Sequence, residues 1–149
     1  MTEPAPSQRR PRRGGRPTLE EAAQLDQEVR ECALRLFLEN LDPHAYQTDF
    51  ATEGSSNYAF TLVLKEPDAA LCERVMKALR AHGIEFRRGT AGGGNQVRQP
   101  YLRRVLGPDQ GPKYPQADHV HFYGFYIGNY PSLQRERILQ LCGLLNGLV

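Results

Sequence analysis

The sequence predicts an α+β fold: a small, mostly antiparallel sheet with helices on one face, preceded by an amino-terminal helix. Three observations carry this. Apolar residues recur at helical spacing in the first third, in the middle and at the end of the chain. After the first helix the elements read strand, helix, strand, loop, strand, helix, and helices laid on one face of a sheet bury such stripes economically. No segment repeats another.

The bulk numbers agree with one domain and a tail. A chain of 149 residues can bury roughly 70% of the surface that its unfolded form exposes. With 40% hydrophobic and 24% charged residues it has the composition of an ordinary globular protein. A net charge of +2 is too small to imply a nucleic-acid or membrane partner for the whole chain, although five arginines crowd residues 9–16. No stretch approaches the ~20 apolar residues of a membrane span. The Arg-rich start has no apolar run behind it, unlike a secretory signal. Cys32, Cys72 and Cys142 fall in helical patterns, form no CxxC pair and are odd in number. Free, partly buried thiols are expected, which suits a cytoplasmic location.

Residues 1–17 hold prolines, adjacent glycines and the arginine cluster. With almost nothing apolar to bury they read as a disordered basic arm, either a phosphate-contacting arm or a solvated tail. Residues 18–40 form an amphipathic helix. Thr18 and Glu21 have capping-box spacing, and Leu25, Val29, Cys32 and Leu36, with Ala22, Ala33 and Phe37 beside them, make a stripe that must pack on this chain or on a partner. Residues 41–56 are polar, with Asp-Pro and Gly-Ser-Ser punctuation, and read as a linker.

The compact domain is expected over residues 57–149. Residues 58–64 alternate as a strand, with Tyr58, Phe60, Leu62 and Leu64 on one face. After Lys65-Glu66-Pro67-Asp68 a helix follows, burying Leu71, Val75, Ala78 and Leu79, with Gly83 as its left-handed terminator. Residues 84–87 read as a short second strand and 100–105 as a helical turn. Residues 106–117 hold three prolines and two glycines and read as a surface loop. Residues 119–127 read as an aromatic third strand. Ser132 is placed to cap a last helix that buries Ile138, Leu141, Cys142, Leu145 and Leu148.

Two segments resemble known families. The segment RRGGRPTLEEAAQLDQEVRECALRLFLEN resembles the basic arm and first helix of TetR-type repressors. The likeness stops at Asn40, because LDPHAYQTDFATEGSSNYAF carries no second helix and no recognition-helix pattern, which DNA reading by that family requires. A DNA-associated regulatory protein is therefore the alternative reading, and a nucleic-acid partner is not the expected one.

The second resemblance covers about two-thirds of the chain. GIEFRRGTAGGGNQVRQPYL and HFYGFYIGNYPSL resemble the carboxy-terminal small domain of DegT/StrS-type sugar-nucleotide aminotransferases. They look closest to the branch with the sugar-nucleotide dehydratases of lipopolysaccharide sugar synthesis. The match lies in a Gly-Ile-Glu-x-Arg strand, an Ala-Gly-spacer-Arg-Gln-Pro loop and an aromatic-Ile-Gly-x-Tyr-Pro turn, found here at 83–87, 91–100 and 125–131. The resemblance implies the small domain of a fold-type I pyridoxal-phosphate enzyme, acting on a sugar nucleotide. The family's large domain supplies the cofactor-binding sheet, the lysine or histidine at the reactive aldehyde, and the acidic partner of the pyridine nitrogen. Residues before 55 are too few to build it, so no catalytic residue is assigned, and the chain alone is expected neither to hold pyridoxal phosphate nor to be active.

Expected partners are a large-domain or full-length aminotransferase chain and the sugar nucleotide. An apolar face left uncovered would favour a homodimer or aggregation. Arg87, Asn95, Arg98 and Gln99 match the family's loop residues that face the cleft. Arginine forks suit phosphate or carboxylate, and the amides suit sugar hydroxyls. The other reading of all four is that they tie down the loop backbone.

The remaining candidates are weaker. Gly92–Gly94 could form an anion-binding nest, or simply a flexible loop, and no Gly-Lys-Ser/Thr makes it a P-loop. His119 and His121 would share a strand face, but no third ligand completes a metal set, so hydrogen-bonded or ring-packed histidines are expected. Lys65, Lys77 and Lys113 read as solvated surface charges.

Overall fold

The computed structural model describes residues 16–108 and 110–149. Apart from Arg16 and Pro17, the expected basic arm lies outside them. Helix α1 spans Leu19–Asn40 and starts on a complete capping box: the Thr18 hydroxyl accepts from the Glu21 amide, and Glu21 Oε2 accepts from the Thr18 amide at 2.8 Å. Strand β1 is Ala59–Val63. Helix α2, Ala69–Ala81, is capped by Asp68, which accepts from the Leu71 amide at 2.8 Å. It ends at Gly83, whose φ of 65° only glycine adopts freely. Strand β2 is Phe86–Arg88, helix α3 Pro100–Leu106, helix α4 Pro115–Tyr123, strand β3 Gly124–Gly128 and helix α5 Arg135–Asn146.

The sheet has the order β1-β3-β2, and both pairings are antiparallel. Phe60 and Phe86 both stand opposite Ile127, so the three share one face. Phe60, Leu62, Phe125 and Ile127 are buried there against Leu71, Val75 and Leu79 of α2, Ile138, Leu141 and Leu145 of α5, and Leu34 and Phe37 of α1. Phe37 stacks on Phe60 with ring centroids 4.7 Å apart. The opposite face carries Thr61 and Arg87, both exposed, and the half-buried Tyr126. The fold is thus α+β as the pattern predicts.

Several local expectations are corrected. The third strand does not begin at residue 119. Residues 115–123 are helical, Pro115 occupies the first turn of α4, and the chain turns straight into β3 at Gly124. The β-prone His-Val-His-Phe-Tyr run is overruled by its tertiary contacts. Residues 106–117 are correspondingly shorter as a loop. Ser132 does not cap α5, whose N-cap is Gln134 with no side-chain bond. Cys32 is exposed rather than partly buried.

On α1, Leu25, Val29 and Cys32 of the expected stripe are exposed, while Leu36 packs half-buried on the core. The fully buried face is carried by Leu34 and Phe37. Segment 41–56, read as a linker, contributes Leu41 and Tyr46 to the core. Tyr46 pairs with Leu64 as an isolated bridge, and its hydroxyl donates to the Leu145 carbonyl at 2.8 Å. Burial pushes that phenol up to about 12. No helix occurs between 41 and 58, so the second helix of a helix-turn-helix is missing, and the DNA-associated alternative gains no support.

Candidate functional site

The Gly-rich loop lies against one face of α4. Gly92, Gly93 and Gly94 take φ values of 67°, 99° and 56°. At Gly94 the requirement is steric as well, because a Cβ there would sit 2.2 Å from His121 Nδ1. The coil delivers Asn95 to a buried position between loop and helix. The Asn95 amide donates to His121 Nδ1 at 3.0 Å, and its side-chain Nδ2 donates to Asp118 Oδ1 at 2.7 Å. Arg98 completes the joint as a two-pronged pair, with Nε to Asp118 Oδ1 and Nη2 to Oδ2 both at 2.5 Å. Its guanidinium also stacks on Phe122, 4.9 Å from the ring centroid.

Asp118, His121 and Phe122 stand at i, i+3 and i+4, the spacing that puts side chains on one helix face. A strand would have scattered them over both faces. Gln99 Nε2 donates to the Gly93 carbonyl at 2.5 Å, and Gln96 Nε2 donates to the carbonyls of Gly92 and Gly94.

The charges follow from these contacts. The Arg98 hydrogen bond, with Asn95 assisting, holds the Asp118 carboxyl below the usual carboxylate range. Burial, then the nearby Arg98 charge, lowers His121 below the ordinary imidazole value. A neutral ring keeps Nδ1 free as the acceptor for the Asn95 amide. His119 takes another direction: its Nε2 is 2.6 Å from the Leu64 carbonyl and its ring lies 5.3 Å from that of Tyr123. The two histidines therefore do not share a face as they would on a strand. Among the described residues, no group of three or more His, Cys, Asp or Glu side chains could hold a metal ion.

Arg87 belongs elsewhere. It lies on β2 opposite Tyr126 and is exposed. A cleft of about 970 Å³ runs along this end of the sheet and is lined by Arg87, Arg137, Tyr58, Tyr126 and Tyr130, with Ile84, Phe86 and Leu141 at its apolar side. Tyr58 and Tyr126 meet edge to face at 6.3 Å. A second cavity of about 550 Å³ opens beside the joint of the Gly-rich loop and α4, with Gly92, Gly94, Asn95 and His121 in its wall. Arg98 and Gln99 line neither. The four residues singled out by sequence are thus divided: Arg87 faces a tyrosine-rich cleft, while Asn95, Arg98 and Gln99 bond within the loop and α4.

Sequence reasoning does not single out Asp118, Phe122 or Arg88, and it gives His121 as a hydrogen-bonded or ring-packed histidine, which it is. Arg88 Nη2 donates to the Phe122 carbonyl at 2.5 Å, and its guanidinium stacks 5.0 Å from the Phe125 centroid. Pro115 was the available signal for Asp118 and Phe122, since proline favours the first helical position and would have set the helical period from there.

Comparison with known proteins adds the fold relationship. No family model and no curated protein sequence matches the chain. Solved structures do. A GDP-4-keto-6-deoxymannose-3-dehydratase with a trapped PLP-glutamate geminal diamine superposes with a TM-score of 0.61 at 20% identity, over 82% of this chain and 31% of that one. The Escherichia coli GDP-4-keto-6-deoxy-D-mannose-3-dehydratase with bound hydrated PLP gives 0.66 at 18% identity, over 85% and 32%. A doubly substituted ColD gives 0.64 at 19% identity, over 85% and 33%. The chain spans about a third of the length of these structures, and at this identity the likeness is one of fold.

Lys65, Lys77 and Lys113, read from the sequence as surface charges, are all exposed. None lines the cleft beside Arg87 or the cavity beside the Gly-rich loop. No helix of the described residues is long and apolar enough to cross a membrane.

Proposed function

We propose that residues 1–149 act as the small, substrate-side domain of a pyridoxal-phosphate-dependent sugar-nucleotide enzyme of the dehydratase or aminotransferase type. The cofactor and catalytic base come from a domain outside these residues, on a large-domain or full-length partner chain. The observation that carries the reading is the superposition of more than four-fifths of the chain on one-third of enzymes of that kind.

In this reading Arg87 supplies a guanidinium to an anionic group of the sugar nucleotide, and Tyr58, Tyr126 and Tyr130 supply flat apolar surface and hydroxyls beside it. Asn95, Arg98 and Gln99 serve the substrate by fixing the shape of the loop. A cytoplasmic setting and a place in lipopolysaccharide sugar synthesis belong to the same reading.

Titration of the isotope-labelled chain with a GDP-sugar, followed by NMR, tests it. Shifts should concentrate at Arg87, Tyr58 and Tyr126, and Arg87→Ala should weaken binding about tenfold or more. A ligand that leaves those signals unmoved sinks the substrate-side role. A stoichiometric Schiff-base absorbance on adding pyridoxal phosphate to the chain alone sinks the claim that the cofactor domain lies elsewhere.

A further inference from the structure

Helix α1 carries two apolar stripes, and the fold buries one of them. Leu34 and Phe37 face the core. At about 100° per residue, Leu25, Val29, Cys32 and Leu36 fall on a second stripe, roughly 140° around the helix from the first. Leu25 is 58% and Val29 37% exposed, Cys32 is exposed, and Leu36 is half-buried at the edge of the core. Their spacing, four, three and four residues, is the alternation of seam positions in paired helices. The start of the helix also projects beyond the body. Leu19 is 92% exposed, and α1 meets the lead-in segment where Gln27 Nε2 donates to the Ser55 carbonyl at 2.6 Å.

We propose that this stripe is a docking seam for a second copy of the chain, α1 against α1 in antiparallel order. Charge selects both the occupant and the direction. Glu28 and Arg35 flank the seam on the same side, one before Val29 and one before Leu36. In an antiparallel pair that sets Leu25 against Leu36 and Val29 against Cys32, Glu28 of each copy stands beside Arg35 of the other. Two-fold symmetry makes the contact twice. Parallel pairing offers no such match and brings Glu21 beside Asp26 of the other copy. Antiparallel order also lays each helix's amino-terminal end beside the other's carboxy-terminal end, so the helix dipoles attract. Leu34 and Phe37 point away from the seam, and Leu36, which also packs on the core, bounds it at its carboxy-terminal end.

Sedimentation velocity on the full chain, over about a hundredfold range of concentration, tests this. The chain should pass from monomer to dimer. The double variant Leu25→Glu with Val29→Glu should weaken the dimer about a hundredfold or more. Both positions are exposed in the monomer, so far-UV circular dichroism should be unchanged. Glu28→Arg should weaken the dimer about tenfold, and adding Arg35→Glu to it should restore the wild-type constant. A chain that stays monomeric, a dimer indifferent to the Leu25 and Val29 changes, a charge reversal that does not rescue, or pairing of α1 only with an added cofactor-domain chain would each overturn the proposal. The seam rests on α1 alone, so its failure leaves the proposed substrate-side role standing.

Discussion

Around Phe60 the side chains are fixed by apolar contact on every side, whereas around Asn95 they are fixed by directed hydrogen bonds to a few named atoms. The first region unites β1, β3, α1, α2 and α5 in one continuous cluster. The second joins the Gly-rich loop to α4 through Asp118 and His121, and neither α3 nor α4 contains a buried residue. Apolar burial is non-directional and tolerates small displacements, while a hydrogen-bonded joint is lost when one atom moves by about an ångström. The core should therefore govern global stability and the loop joint should govern local order. A loop held at the edge of a stable body fits that division.

The contrast can be broken by substitution, with the largest effect expected in the core. Phe60→Ala removes a fully buried ring from beneath Phe37 and should cost about 3–5 kcal/mol, read from urea unfolding. A loss under about 1 kcal/mol would mean that the cluster is not the main source of stability.

The next effect is expected at Gly89, where β2 gives way to the loop. A Cβ there would lie 1.8 Å from the Val120 carbonyl oxygen, so the α4 backbone must shift. Gly89→Ala should cost about 1–3 kcal/mol. Its hydrogen-exchange signature should be faster exchange in α4 and the loop with β1 unchanged. Equal loosening of β1 would erase the distinction between the two regions.

The smallest effect is expected from pH, and it should touch the loop alone. His121 is held below its ordinary value of 6.5, so folding favours the neutral ring. That contribution is fully present above pH 6.5 and is lost as pH falls through the lower folded value, when protonation also removes the acceptor for the Asn95 amide. Asp118, held below 3.8, adds a second loss as pH falls through its own folded value. Acid should therefore loosen the loop in two steps. The Asn95 amide exchange rate and the His121 ring shifts are the measurements, and a His121 midpoint at or above 6.5 would contradict the network.

The same two regions differ in how far they could be read from residues. The core announces itself by period: Phe60 and Leu62 alternate, and Leu71, Val75 and Leu79 recur every four residues, so strand and helix follow from spacing. Tyr46 escaped because one aromatic residue among polar neighbours has no period. The loop gave its composition but not its connections. Arg98 and Asn95 were visible as candidates, yet their bonding to Asp118 depends on residues 20 or more positions away adopting a helix that local preference argued against.

On its own, then, the sequence determined the α+β class, the capping box of α1, the turn at Gly83 and most of the buried positions. These depend on neighbours within a turn of helix or along one strand. Only the tertiary structure decided which of α1's two stripes turns inward, that residues 115–123 are a helix, and that Arg87 faces a different cleft from Asn95, Arg98 and Gln99. Each of those outcomes is set by contacts between segments far apart in the chain, whose energies local spacing does not encode.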